Sequence, residues 1–308
     1  MKIALVFPGY GSQHVGMGKE LYDEYRVVQE YFEEASNCID INFVKLCFAS
    51  SDEEISKLLH AYTSLFLIGS AVSALLKEQG IVPDVVTGYN NGETTALFAS
   101  GCFSFPDGLY LLGKMCAFYQ EALETMDVAA VRIAGISGKR LEKECRMLND
   151  DVEKISVAIY DDEHDSIVTG DSTTVQQLCN IVENEPNIRI EYLVPEIGLH
   201  SALMDTVIDQ FKIYLEKVDF KDVMTPMLSG IDGKLVVHGA DIKDRYIRHI
   251  REPLHFDRVL EALDAYDMII VVTPAQHVGA LLKQKYPKKI IKMISKKSDI
   301  ELFKETVQ

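Results

Sequence analysis

The stretch Asp84-Val85-Val86-Thr87-Gly88-Tyr89-Asn90-Asn91-Gly92-Glu93-Thr94-Thr95-Ala96-Leu97 constrains the fold most. Val85 to Thr87 is a short apolar strand. A sharp turn and a helix follow. Gly88 and Gly92 bracket the turn with the G-x-S-x-G spacing of a nucleophile elbow. Such an elbow holds its central residue at the top of a parallel sheet, side chain toward substrate, and the next backbone N–H helps hold an oxyanion. The central residue here is Asn90, whose amide is no nucleophile at neutral pH. The frame of an acyl-transfer site is present without its nucleophile.

A hydrophobic content of 47% over 308 residues suits a globular chain of one large or two unequal domains. No uninterrupted apolar run reaches the ~18–20 residues of a membrane span. Met1 to Phe7 is apolar but breaks at Pro8-Gly9, which predicts a first strand and no signal peptide. Six cysteines without a CxxC pair predict reduced thiols and a cytoplasmic setting. No His–Cys ligand spacing predicts a metal. The formal charge of −16 disfavours nucleic acid and anionic membrane. Basic residues concentrate in two places: Lys283, Lys285, Lys288, Lys289, Lys292, Lys296 and Lys297, and Arg245, Arg248, His249 and Arg251. Each cluster is a solvated face or a docking surface.

Lys2 to Phe7 predicts a buried strand and Pro8 to Gln13 a glycine-rich loop, which lacks the Gly-Lys-Ser/Thr of a phosphate-binding P-loop. Helices are expected over Leu21 to Ala35, Glu53 to Leu59, Ser64 to Glu78 and Phe105 to Glu124. Residues 127–196 then change character. Strand, helix, strand, strand, helix, strand is the ferredoxin-like order. The expected fold is α/β: an α/β-hydrolase-like parallel-sheet domain over 1–126 and 197–308, with an inserted ferredoxin-like small domain over 127–196. In the resumed large domain, Ser201 to Val218 is an amphipathic helix and Asp232-Gly233 a hairpin turn. Met268 to Val272 is a buried strand, Pro274 opens a last helix, and Ile290 to Ile294 is an edge strand.

Five stretches together resemble the malonyl-CoA:acyl-carrier-protein transacylase family of fatty-acid and polyketide synthesis. Phe7-Pro8-Gly9-Tyr10-Gly11-Ser12-Gln13 is similar to its opening F-P-G-Q-G-S-Q, and Gly88 to Glu93 to its G-H-S-L-G-E. Gly101-Cys102-Phe103-Ser104-Phe105-Pro106-Asp107 is similar to G-V-L-S-F-E-D. His200-Ser201-Ala202-Leu203-Met204 is similar to the segment with the family histidine, and Thr273-Pro274 stands where the family has Gly-Pro. The resemblance spans essentially the whole chain. It implies serine as nucleophile, histidine as base and two oxyanion-holding N–H groups. It also implies an arginine paired with the malonyl carboxylate. It calls for no cofactor, admits a coenzyme A thioester as ligand, and names an acyl carrier protein or synthase subunit as partner.

The chain departs from that pattern where the chemistry is. Asn90 replaces the serine, Tyr89 the histidine before it, and Tyr10 the loop glutamine. Met115 falls at the arginine position, beside Lys114, and Tyr160 at a small-domain asparagine. The backbone N–H groups of Tyr10 and Asn91 remain as oxyanion donors. His200 is retained, as a base or as a cleft histidine held by hydrogen bonds. Tyr89, Met115 and Tyr160 are the candidate acyl-pocket residues; Tyr10 and Tyr89 either fill an emptied pocket or stack on a ligand. The expected function is a transacylase-like pseudoenzyme that binds a carrier protein or synthase partner, with Lys283, Lys285, Lys288, Lys289 and Lys292 as the contact. The alternative is an acyl-thioester hydrolase, or an acyltransferase for a non-carboxylated group, using His200.

Overall fold

The computed structural model describes residues 1–272 and 275–307. The strands are β1 (Ile3–Phe7), β2 (Val85–Gly88), β3 (Val128–Ala134), β4 (Ile155–Tyr160), β5 (Asp165–Asp171), β6 (Arg189–Leu193), β7 (Met227–Leu228), β8 (Leu235–Val236), β9 (Leu254–His255), β10 (Met268–Val272) and β11 (Ile290–Ile294). They form two sheets, ordered β11-β10-β1-β2-β7-β8 and β6-β3-β5-β4-β9.

In the larger sheet β11, β10, β1, β2 and β7 run parallel, and β8 folds back antiparallel on β7. The turn between β7 and β8 carries Gly233 at φ 68°, as Asp232-Gly233 predicts. Alternation along β1 assigns its faces. Ile3, Leu5 and Phe7 enter one core with helices Arg26–Ile39, Leu58–Glu78 and Phe105–Thr125. Ala4 and Val6 enter a second with helices Phe256–Ala262 and Gln276–Lys285. Each fully buried aliphatic side chain of this kind contributes about 1.5–3 kcal/mol. A strand buried on both faces must be apolar throughout, and β1 and β10 are.

Helix Leu58–Glu78 starts before the expected Ser64. Its 21 residues are long and apolar enough, by composition, to cross a membrane, but most of the helix is buried inside the protein. It is the helix behind the elbow. Helix Phe105–Thr125 begins at Ser104, whose Oγ accepts the Asp107 N–H, with Pro106 in the first turn. The expected helix from Ser201 differs: Ala202–Met204 is a 3₁₀ turn and the α-helix is Asp205–Leu215. Thr273-Pro274, expected to open a helix, lies outside the described residues. The helix after it, Gln276–Lys285, is followed by another, Lys297–Val307, that the periodicity did not suggest.

In the smaller sheet β3 is antiparallel to β5 and β6, and β4 to β5. Helices Gly138–Leu148 and Ser172–Val182 cover one face. The expected β-α-β-β-α-β order is present, but the sheet has a fifth strand from outside 127–196: β9 joins β4 in parallel, Ile159 opposite Leu254. Two residues were too short a run to read as a strand. A bulge between Val157 and Ile159 then shifts the register of β4. Ile155 and Val157 face the helices, while Ala158 and Ile159 face the larger sheet.

Candidate functional site

The parallel strands β1 and β2 end together, Phe7 opposite Gly88. Their carboxyl-terminal loops therefore meet, as ligand-binding loops of such sheets do. The elbow turns directly onto helix Gly92–Ser100. A Cβ on Gly88 would lie 2.1 Å from the Glu93 nitrogen, and one on Gly92 2.3 Å from the Phe7 oxygen. Only glycine fits either position. Asn90 between them has φ 54°, the left-handed region that asparagine tolerates best among residues with a side chain.

Asn90, Asn91 and His200 are all buried. The His200 Nδ1 lies 2.6 Å from the His249 carbonyl oxygen. A carbonyl can only accept, so Nδ1 carries the proton. Burial pushes the ring down to about 4, partly offset by that hydrogen bond, so it is neutral at pH 7. Its Nε2 lies 3.3 Å from Asn90 Oδ1. Imidazole lone pair meets carboxamide oxygen there, and the contact passes no proton.

The two backbone donors are both occupied. The Asn91 N–H donates to Asn90 Oδ1 at 2.6 Å, and the Tyr10 N–H to Asn91 Oδ1 at 2.6 Å. Two side-chain carboxamide oxygens thus sit where the resemblance puts the oxygen of an acyl group. Both N–H groups lie beside the elbow, and nothing in the sequence signals that they are occupied.

Behind the elbow is a buried acid, the residue that closes the Gly88 to Glu93 stretch. Glu93 is held up to about 8 by burial, against the pull of the Gly230 N–H and Arg245, so its carboxyl is mostly neutral at pH 7. Its Oε2 lies 3.2 Å from His249 Nε2 without hydrogen-bond alignment. Burial, then the His200 ring, hold His249 well below its ordinary range, while a hydrogen bond to the Asn90 backbone opposes them. His249 therefore belongs to the interior. Its expected basic neighbours are paired: Arg245 with Asp232, Arg248 with Glu252, Arg251 with Asp205.

Met115 is 4% exposed and packs in the helical core. Lys114 offers no substitute charge, since its ammonium sits 5.0 Å over the Tyr214 ring. Tyr160 faces away from the elbow. The bulge in β4 turns it toward helix Gly138–Leu148, stacked on His255 at 4.5 Å, so it is not an acyl-pocket residue. The next residue, Asp161, takes the place expected of it and accepts the Tyr89 hydroxyl at 2.8 Å. Tyr89 is buried edge-on against Phe256 and cannot stack on a ligand from that position. The Tyr10 hydroxyl donates to the Ser56 carbonyl at 2.8 Å.

A cleft of about 580 Å³ opens beyond these rings, lined by Tyr10, Gln13, Tyr89, Arg132, Leu193 and His277 among others. Asn90, Asn91, His200 and Met115 do not line it. The tyrosines close the elbow from the cleft. Of the C-terminal lysines, Lys289 is committed to the Leu263 and Asp264 carbonyls. Among the described residues no group of three or more His, Cys, Asp or Glu is arranged to hold a metal ion.

The sequence pattern of the acyl transferase domain family matches residues 4–298. The chain belongs to this family. It is 28% identical over 285 residues to the malonyl CoA-acyl carrier protein transacylase of Bacillus subtilis (strain 168), covering 92% of this chain and 90% of that one. It is similar in fold to an acyl carrier protein S-malonyltransferase from Vibrio cholerae O1 biovar eltor, with TM-score 0.93, 23% identity and coverage of 98% and 100%. It is likewise similar to a malonyl-transacylase solved in complex with its type II PKS acyl-carrier protein, with TM-score 0.93, 21% identity and coverage of 99% and 100%. This member of the family is transacylase-like in sequence and fold, with asparagine at the elbow.

Proposed function

We propose that this acyl transferase family member works in fatty-acid or polyketide synthesis as a pseudo-transacylase, binding an acyl carrier protein or synthase subunit without transferring the acyl group at its elbow. The observation that carries the reading is the occupied pair of oxyanion donors. Asn90 offers no nucleophile, and Asn90 Oδ1 and Asn91 Oδ1 hold the N–H groups that a thioester carbonyl would need. Losing the nucleophile of a Ser–His site costs on the order of 10⁶ in turnover. The hydrolase alternative built on His200 is weakened by the same geometry, since Nε2 faces Asn90 and lines no cleft. Neither reading draws on a cofactor; a coenzyme A thioester is a ligand at most.

On this reading the chain is an α/β-hydrolase-like core, 1–126 and 197–308, with a ferredoxin-like insert, 127–196, to which the core lends β9. Exposed Lys283, Lys285 and Lys288 are the contact for an acidic carrier protein; Lys289, held internally, is not. Six free cysteines fit a cytoplasmic setting.

The test is incubation of the unmodified chain with labelled malonyl-CoA or acetyl-CoA and an acyl carrier protein. Intact mass should show no acyl adduct on either protein. Titration should show saturable carrier binding that weakens with salt and with Lys283→Glu/Lys285→Glu. A malonyl adduct on the chain overturns the proposal, as does absence of carrier or synthase-subunit binding.

A further inference from the structure

The sealed elbow leaves a second constellation in the open cleft unexplained. Asp161 is fully buried, and its carboxylate is held from several sides. Oδ1 accepts the Tyr89 hydroxyl at 2.8 Å. Oδ2 lies 2.8 Å from His277 Nε2 and 3.5 Å from Arg132. Arg132 is itself braced by Glu191 at 3.2 Å and Asp165 at 3.6 Å. The Arg132 Nη2, which can only donate, also lies 3.2 Å from His277 Nε2, but the shorter contact is to the carboxylate, which only accepts; it assigns the single proton of the ring to Nε2 and the lone pair to Nδ1. His277 lines the cleft, and its Nδ1 has no protein partner among the described residues. A buried carboxylate that fixes the tautomer and angle of an imidazole facing a cavity is the orienting half of a general-base device.

We propose that Asp161 and His277 form such a dyad, and that the cleft hydrolyses activated acyl compounds, thioesters foremost, by water attack independent of the elbow. His277 Nδ1 takes a proton from water as its oxygen bonds to the acyl carbon. The tetrahedral adduct then collapses with cleavage of the carbon–sulfur bond, and the imidazolium returns its proton to the departing thiolate. The products are the carboxylic acid and the thiol, and no further reactant is consumed. Thioesters are the fitting class because a lone imidazole base suffices where the leaving group departs as an anion of moderate basicity. An amide would need its nitrogen protonated as well. Leu193, Val278 and Tyr10 line the same cleft and give an acyl chain an apolar wall beside the base. His277 is the catalytic residue and Asp161 the positioning residue.

This reading does not depend on carrier-protein docking, which is measured separately on the same preparations. S-acetyl-N-acetylcysteamine is the probe, with thiol release followed from pH 5 to 9. The unmodified chain should hydrolyse it above the buffer rate. His277→Gln should lower kcat/KM by about 10² or more, the range of general-base contributions. The exposed-histidine variant His238→Gln should keep the rate, which separates the cleft from surface imidazole. Asp161→Asn should lower kcat with KM little changed, and Asp161→Glu, which keeps a carboxylate beside Nε2, should restore part of the rate, a split that loss of packing alone would not give. Circular dichroism confirms that each variant is folded. Hydrolysis unchanged in folded His277→Gln overturns the proposal. So does a folded parent chain with no activity above buffer, or a rate abolished by His200→Ala but not by His277→Gln.

Discussion

Asn90→Ser supplies a hydroxyl at the elbow and removes the Oδ1 that now takes the Asn91 N–H at 2.6 Å. It leaves the other donor untouched, because the Tyr10 N–H is bound to Asn91 Oδ1, also at 2.6 Å. An acyl carbonyl entering this site would find one N–H free and one already satisfied. One missing oxyanion donor costs about 10²–10³ in rate, or about 2.7–4 kcal/mol of transition-state stabilisation. The double variant Asn90→Ser/Asn91→Ala should therefore acylate about 10²–10³ faster than Asn90→Ser alone. The assay is the initial rate of acetyl adduct formation from acetyl-CoA, read by intact mass. Removing the Asn91 carboxamide leaves a buried N–H unpaired, which costs about 1–3 kcal/mol of stability. Both variants are accordingly compared well below their melting temperatures. His200→Ala in the double background should abolish the adduct, since His200 is the base beside position 90. Equal, measurable rates for the single and double variants would show that the Asn91 carboxamide yields freely to substrate, and the occupancy argument would fail; no adduct in either would show instead that Tyr10 and Tyr89 keep the thioester from the elbow.

Tyr89→Phe removes a buried hydroxyl that donates to Asp161, and should cost about 1.5–3 kcal/mol in urea unfolding; a change within error would mean that the hydrogen bond is not formed in solution. Glu93, raised from 4.5 to about 8 by burial, is neutral in the fold and ionised in the unfolded chain between those values, so it makes stability fall as pH rises through that window. Glu93→Gln should therefore gain stability relative to the parent from pH 5 to pH 8, and parallel stability–pH curves would refute the assignment. Met115→Arg should destabilise by placing an unpaired charge in the helical core and should not create malonyl preference in the Asn90→Ser background; selective malonyl loading would show that position 115 opens to the site.

Much of the architecture could be read in the residues because it rests on short-range patterns. The unbroken apolar runs of β1 and β10 require cover on both faces, and they have it. Gly88 and Gly92 mark a turn whose closeness no side chain permits, so their spacing located the elbow. The strands β3 to β6 of the smaller sheet are runs of five to seven residues, long enough to show a pattern in sequence. β9 was not visible, because two residues carry no period. Tyr160 entered the candidate pocket through the resemblance alone, which carries no strand register. Strict alternation along β4 would send it toward the elbow, and the bulge at Val157 and Ile159 reverses every side chain after it.

The site shows a sharper division between what composition implies and what only coordinates reveal. Asn90 leaves the centre of the elbow without a hydroxyl or thiol whatever its surroundings, and one letter is enough to read that. Whether the vacated geometry stays open depends on where two carboxamide oxygens lie to within a few tenths of an ångström. An asparagine beside an elbow could equally point into solvent. Here Asn91 Oδ1 turns back to the Tyr10 N–H, and position 10 comes from a loop 81 residues away in sequence. The same separation hid the dyad. In sequence, Asp161 follows one strand and His277 another, 116 residues apart, and nothing in either local pattern joins them. What joins them is the packing of the smaller sheet on the second face of the larger one, through Ile159 and Ile167. That contact places Asp161 against both Tyr89 and His277. The tyrosine that replaces the family histidine thus seals the elbow on one side, and on the other helps hold the carboxylate that aims His277 into the cleft.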